Sequence, residues 1–145
     1  MNPRKAEIKT KFQSVTLPVL SDQDNADDFY NPILDTLSIR TKFELKMLRD
    51  VVTEELMRTQ ERILAKAFQD VLDGKLEEED FPLRRIETPD GGETITNVPE
   101  EFMAIASFMA WLNEKAEDRP YGLQKDWFHH LHPHGSRGRD HFHAS

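Results

Sequence analysis

From Thr41 to Leu72 apolar residues return at the spacing of an α-helix, and this stretch limits the possible folds more than any other. Leu45, Leu48, Val52, Leu56, Ile63, Ala67 and Val71 recur at steps of three, four or seven, with Thr59 filling the gap. Phe43, Met47, Val51, Leu64, Phe68 and Leu72 widen that face. Thr41-Lys42-Phe43-Glu44 fits a capping box, in which the hydroxyl takes a free N–H of the first turn and the carboxylate reaches back. Asp73-Gly74 supplies the glycine stop. A helix of about 32 residues rises roughly 48 Å, more than the ~30 Å width of a small domain.

A second helix opens at Pro99-Glu100-Glu101, with proline in the first turn and acids where the dipole favours them. Phe102, Met103, Ile105, Ala106, Phe108, Met109, Trp111 and Leu112 make nearly its whole circumference apolar, so it must be buried. Its roughly 26 Å can line only part of the longer helix. The uncovered remainder then needs a second copy of the chain, a different protein or the N-terminal segment folded back. A break near Arg58-Thr59-Gln60, turning the rod into a helical hairpin, is the compact alternative.

The other elements are shorter. Ser14 to Leu20 reads as an edge strand or a docked arm, because Pro18 removes a ladder donor. Asn31-Pro32 reads as the start of a short helix to about Leu37. Leu76 to Asp80 is an acidic run suited to a linker or exposed turn, and Leu83 to Val98 suits a β-hairpin turning at Thr88–Glu93. An amphipathic helix is expected between Leu123 and Leu131. The fold expected is therefore mainly α: a long helix packed on a shorter buried helix, with a small β-hairpin and flexible termini. Residues 1–24 form a basic N-terminal arm, 25–118 an acidic helical core domain with the hairpin at 83–98, and 119–145 a His-rich C-terminal helix and tail.

Charge follows the same divisions. The formal net charge of −8 conceals +3 over residues 1–20, −13 over 21–118 and +2 over 119–145. An acidic body repels phosphate, which argues against broad binding of nucleic acid through the folded part. The longest apolar run, Met103 to Leu112, is broken by Ser107 and falls short of the ~20 residues that cross a bilayer. The basic start lacks the continuous apolar stretch of a secretion signal, so a cytoplasmic protein is expected.

Catalytic patterns are missing. No G-x-S-x-G elbow, P-loop, G-x-G-x-x-G or H-E-x-x-H occurs, and no His precedes position 129. With no cysteine, thiol nucleophiles and Cys-ligated zinc are excluded. All six histidines fall between His129 and His143. His132, His134, His141 and His143 are candidate ligands for Zn²⁺ or Ni²⁺, with Asp126 or Asp140 completing a shell; a solvated or partner-docked tail is the competing reading. Arg137 and Arg139, near Trp127, Phe128 and Phe142, are candidate contacts to nucleic acid. Protonating the six imidazoles would take 119–145 from +2 towards +8.

The function expected is non-enzymatic: a protein–protein interaction factor, whether adaptor, scaffold or accessory protein, of a viral or a cellular system. It acts through an oligomeric, coiled-coil-like core, with Leu45, Leu48, Val52, Leu56, Ile63, Ala67 and Val71 as the interaction stripe. Its partners are then a second copy and another protein. A nucleic-acid-associated helical oligomer and a metal-binding tail are the alternatives.

Overall fold

The computed structural model describes residues 2–117. Among them the elements are α1 (Pro3–Phe12), α2 (Ala26–Thr36), α3 (Lys42–Leu72), a 3₁₀ turn (Glu78–Asp80), β1 (Arg84–Glu87), β2 (Glu93–Thr96) and α4 (Glu100–Glu117). The fold is mainly α, with the long α3 packed on the shorter α4 and a two-stranded antiparallel hairpin beside them. No helix of the described residues is long and apolar enough to cross a membrane.

The start of α3 follows its local sequence. The Thr41 hydroxyl accepts the Glu44 N–H at 3.1 Å, while Glu44 Oε1 accepts the N–H groups of Thr41 at 3.1 Å and Arg40 at 2.9 Å. Arg4 of α1 donates Nε–H to Glu44 Oε2 at 2.9 Å. The Arg40 N–H and then the Arg4 guanidinium hold the Glu44 carboxyl down at about 2. The helix runs unbroken through Arg58-Thr59-Gln60, because Thr59 is buried on the core face and the stripe does not lapse there. At the far end Lys75 N–H bonds Asp70 O at 2.8 Å and Gly74 N–H bonds Val71 O at 3.1 Å, with Gly74 at φ +74°. That is a Schellman stop, in which a left-handed residue satisfies the last carbonyls.

The first forty residues depart from expectation. The basic arm contains α1: the Asn2 side chain caps the N–H groups of Arg4 and Lys5, and Pro3 sits in the first turn. Ile8 and Phe12 are buried against α3 and α4, so packing stabilises a helix too short and too polar for its periodicity to stand out. Residues 15–20 form no strand; the docked-arm alternative holds, with Val15, Leu17 and Leu20 packed on the core. The helix placed at Pro32 begins six residues earlier, at Ala26, where the Asn25 side chain accepts the Asp27 N–H at 3.1 Å and Pro32 lies inside. Tyr30 and Ile33 on one face of α2 are buried, which offsets the backbone bond that Pro32 cannot donate. The exit from α2 is another Schellman turn, with Ser38 left-handed at φ 57°.

α4 lies antiparallel to α3. Its beginning, Phe102, Met103 and Ala106, joins Leu56 and Ile63, while its later Phe108, Trp111 and Leu112 join Leu48, Val51 and Val52. Around Phe108 the rings of Phe12, Tyr30 and Trp111 lie at centroid distances of 6.0, 5.0 and 5.9 Å, so α1, α2 and α4 meet there. In the hairpin Arg85 pairs with Ile95 and Ile86 with Thr94, which puts Ile95 on the core face and Ile86 on the solvent face. Leu83, Ile95 and Val98 cover the cluster around Leu56 and Ile63.

At 1.5 Å per residue α3 measures about 46 Å and α4 about 27 Å. The Arg62–Glu101 pair, 2.8 Å, sets the first turn of α4 level with Arg62. From Arg62 to Leu72, about 15 Å, α3 runs on past α4. The long seam is nonetheless mostly closed by the chain itself, because α1, α2, the 15–20 segment and the hairpin share the covering with α4.

Candidate interaction surface

Burial revises the expected interaction stripe. Leu48, Val52, Leu56, Ile63 and Ala67 are buried core, and Leu45 is half-buried against it; of the seven, Val71 alone is exposed. Those six are spent on the fold of a single chain and offer no surface. A separate apolar row takes their place. Met57, Leu64, Phe68 and Val71 follow one another at steps of seven, four and three. At about 100° per residue this row lies roughly 100° round the helix from the buried face. Met57 is 52%, Phe68 61%, Val71 40% and Leu72 81% exposed, with Leu64 half-buried among them.

α3 therefore carries two apolar faces where sequence reading merged them into one wide face. The signal that separates them is the 57–64–68–71 spacing, and Met57 was left out of the stripe read from the sequence. Phe81 was also missed. Its ring stands edge-on to Phe68 at 5.0 Å, and its placement is set by Asn97, whose Nδ2 donates to the carbonyls of Glu79 and Phe81, each at 2.9 Å. Scattered exposed apolar side chains are ordinary on a surface; here Phe68, Val71 and Leu72 stand together at one end of α3 with Phe81 beside them.

The electrostatics of this end are lopsided. Residues 69–80 hold Asp70, Asp73, Glu77, Glu78, Glu79 and Asp80 against Lys75 as the one basic residue. Asp70 is engaged by Lys66 at 3.1 Å and Asp73 by Gln69 at 3.0 Å. Glu61 and Lys75 are exposed and have no ion-pair or hydrogen-bond partner through their side chains among the described residues.

Elsewhere the polar groups are committed to structure. A cleft of about 220 Å³ between the end of α1 and α4, floored by Val15, Leu17 and Ile105, is walled by Glu55 and Glu101. Arg58 engages Glu55 at 3.3 Å and Arg62 engages Glu101 at 2.8 Å. The buried Ser107 hydroxyl donates to the Met103 carbonyl at 2.7 Å, so it holds its proton in the helix. The Glu114 carboxyl is driven upward, to about 7, by burial and then by Asp27. Among the described residues no three His, Asp or Glu side chains gather where one metal ion could reach them all. The candidate ligands His132, His134, His141 and His143, and the candidate nucleic-acid contacts Arg137 and Arg139, lie outside the described residues, as does the helix expected at 123–131.

The fold and surface together define a mainly helical chain with one projecting apolar row. No family model, no curated protein and no solved structure matches it.

Proposed function

We propose that this chain is a non-enzymatic protein–protein interaction factor, an adaptor or scaffold element, whose contact surface is the Met57–Leu64–Phe68–Val71 row with Leu72 and Phe81. One observation carries this reading: Phe68, Val71 and Leu72 stay exposed together on the part of α3 that runs beyond α4, with Leu64 half-buried beside them. Leaving a Phe and a Leu in water forgoes about 1.5–3 kcal/mol each, and contact with another macromolecule recovers it.

Photo-crosslinking from position 72 tests the reading, with position 36 on α2 as the control, since Thr36 is also exposed but has no apolar row around it. The expected result is an adduct to one discrete polypeptide from position 72 and none from position 36, the attached chain being identified by mass spectrometry. Equal labelling from both positions, or no adduct from position 72, overturns the proposal.

A further inference from the structure

Resting on the interaction reading, the charge around the exposed apolar patch sets the kind of partner that fits it. The Gly74 stop ends α3 and turns the chain back, so that Phe81 comes to lie edge-on to Phe68 at 5.0 Å. The 3₁₀ turn Glu78–Asp80 immediately precedes Phe81, and Asn97 Nδ2 fixes it there by donating to the carbonyls of Glu79 and Phe81 at 2.9 Å each. An acidic turn therefore borders the patch of Phe68, Val71 and Leu72. Glu77, Glu78, Glu79 and Asp80 are exposed, and their carboxylates have no ion-pair or hydrogen-bond partner among the described residues. Neither Lys75 nor Arg84, the nearest bases in sequence, pairs with them. Glu61, seven residues before Phe68 and so on the same side of α3, is exposed and equally uncommitted. We propose that the patch binds a basic amphipathic segment of another polypeptide, whose apolar side chains cover Phe68 and Leu72 and whose lysines or arginines lie against Glu77–Asp80.

Apolar contact supplies the affinity, and the carboxylates select the occupant. An acidic segment would bring like charges together over the turn, and an uncharged one would strip water from carboxylates while offering nothing in its place. The same carboxylates repel the phosphates of nucleic acid and of anionic lipid headgroups. A second copy of this chain brings its own net −13 over residues 21–118 towards this one. A cationic segment meets none of these penalties. The patch is open to it, since α4 reaches only to the level of Arg62 and leaves Phe68 to Leu72 clear of the longer elements.

Fluorescence anisotropy of the full 145-residue chain tests this with three labelled synthetic helical peptides, each about five turns long and sharing one leucine face. Their other face carries lysine, serine or glutamate. The lysine peptide should bind about tenfold tighter than the serine peptide and the glutamate peptide weakest, with the gap narrowing as salt is raised. Leu72→Ser, at a position 81% exposed, should weaken the lysine peptide about tenfold. Glu78→Lys with Glu79→Lys should reverse the order of the charged peptides, while Asp28→Lys with Glu87→Lys, exposed acids away from the patch, should leave it unchanged. Equal binding of the lysine and serine peptides, or an equal effect of both pairs of reversals, overturns the proposal. So does a dimer of the wild-type chain that Leu72→Ser turns to monomer, which would seat a second copy on the patch. Tenfold tighter binding once Arg119, Lys125, Arg137 and Arg139 are all changed to Ser overturns it too, by making the chain's own C-terminal segment the occupant. A chain indifferent to peptide charge that still crosslinks from position 72 to one polypeptide would keep the interaction reading and remove only the basic partner.

Discussion

The indole Nε1–H of Trp111 donates to Asp27 Oδ1 at 2.7 Å, tying the late part of α4 to the first turn of α2 across 84 residues of chain. Lys115 approaches the same carboxylate at 3.6 Å and lies 5.2 Å from the Trp111 ring centroid. Asp27 also stands where a negative charge favours the N-terminus of α2. Asp27→Ala removes all of this and leaves an indole donor without its acceptor. The expected loss is about 1–3 kcal/mol in urea unfolding. On a Trp111→Phe background the same substitution should cost clearly less; an equal cost in both backgrounds would mean that the hydrogen bond contributes nothing.

One residue before Lys115, the carboxyl of Glu114 sits at about 7, because burial disfavours its charge and Asp27 repels it, with Lys115 opposing. Its Oε2 is enclosed and has no hydrogen-bond partner among the described residues. An acid whose value rises on folding binds more protons in the folded chain between its ordinary 4.5 and about 7. Its contribution to stability is therefore retained below that window, falls as pH rises through it, and stays low above. Glu114→Gln should flatten that part of the pH profile. At pH 8 it should stabilise the chain by about 1 kcal/mol, less than a full conversion of the shift because the side chain is only partly enclosed. Thermal unfolding at pH 5 and pH 8 checks it, and a variant less stable than the parent at pH 8 would contradict it.

Ser38 closes α2 in the left-handed region at φ 57°, a conformation that costs an L-residue with a Cβ about 1 kcal/mol. Ile39 N–H to Leu34 O at 2.9 Å and Ser38 N–H to Asp35 O at 3.0 Å complete the stop through backbone alone. The carbonyl of Ser38 also accepts Arg4 Nη2 at 2.8 Å, again without its side chain. Ser38→Gly should accordingly raise stability by about 0.5 kcal/mol at most after the added freedom of the unfolded chain is subtracted. A higher urea midpoint at unchanged slope is the expected reading.

Asn97 is left-handed at φ 56° and spends both amide hydrogens on the stretch carrying Phe81. Asn97→Ala loses both bonds and places a Cβ-bearing residue with no compensating side chain in a strained turn. Amide hydrogen exchange over residues 78–83 should accelerate at least several-fold, while α4 keeps its protection. Uniform acceleration throughout the chain would show that Asn97 supports the whole fold rather than this turn.

Legibility in the sequence followed the range of the responsible interaction. The Thr41 capping box, the glycine stop at Gly74, the hairpin turn with Gly91 at φ +87° and the apolar girth of α4 are local features, and each formed as read. α1 was missed because its two core residues, Ile8 and Phe12, leave too few apolar positions to mark a period. The start of α2 was misplaced because Asn31-Pro32 imitates a cap, while Asn25 supplies the real one.

The sequence by itself determined that a long helix and a buried shorter helix exist, and that acids crowd the end of the longer one, since periodicity, caps and charge are properties of neighbours along the chain. Only the tertiary structure decided which apolar positions were consumed. Leu48, Val52, Leu56 and Ile63 met α1, α4 and the hairpin, whereas Phe68, Val71 and Leu72 passed beyond them. Hydrophobic periodicity records how much greasy surface a helix presents; what covers it depends on where distant segments come to rest, and that is set by packing in space.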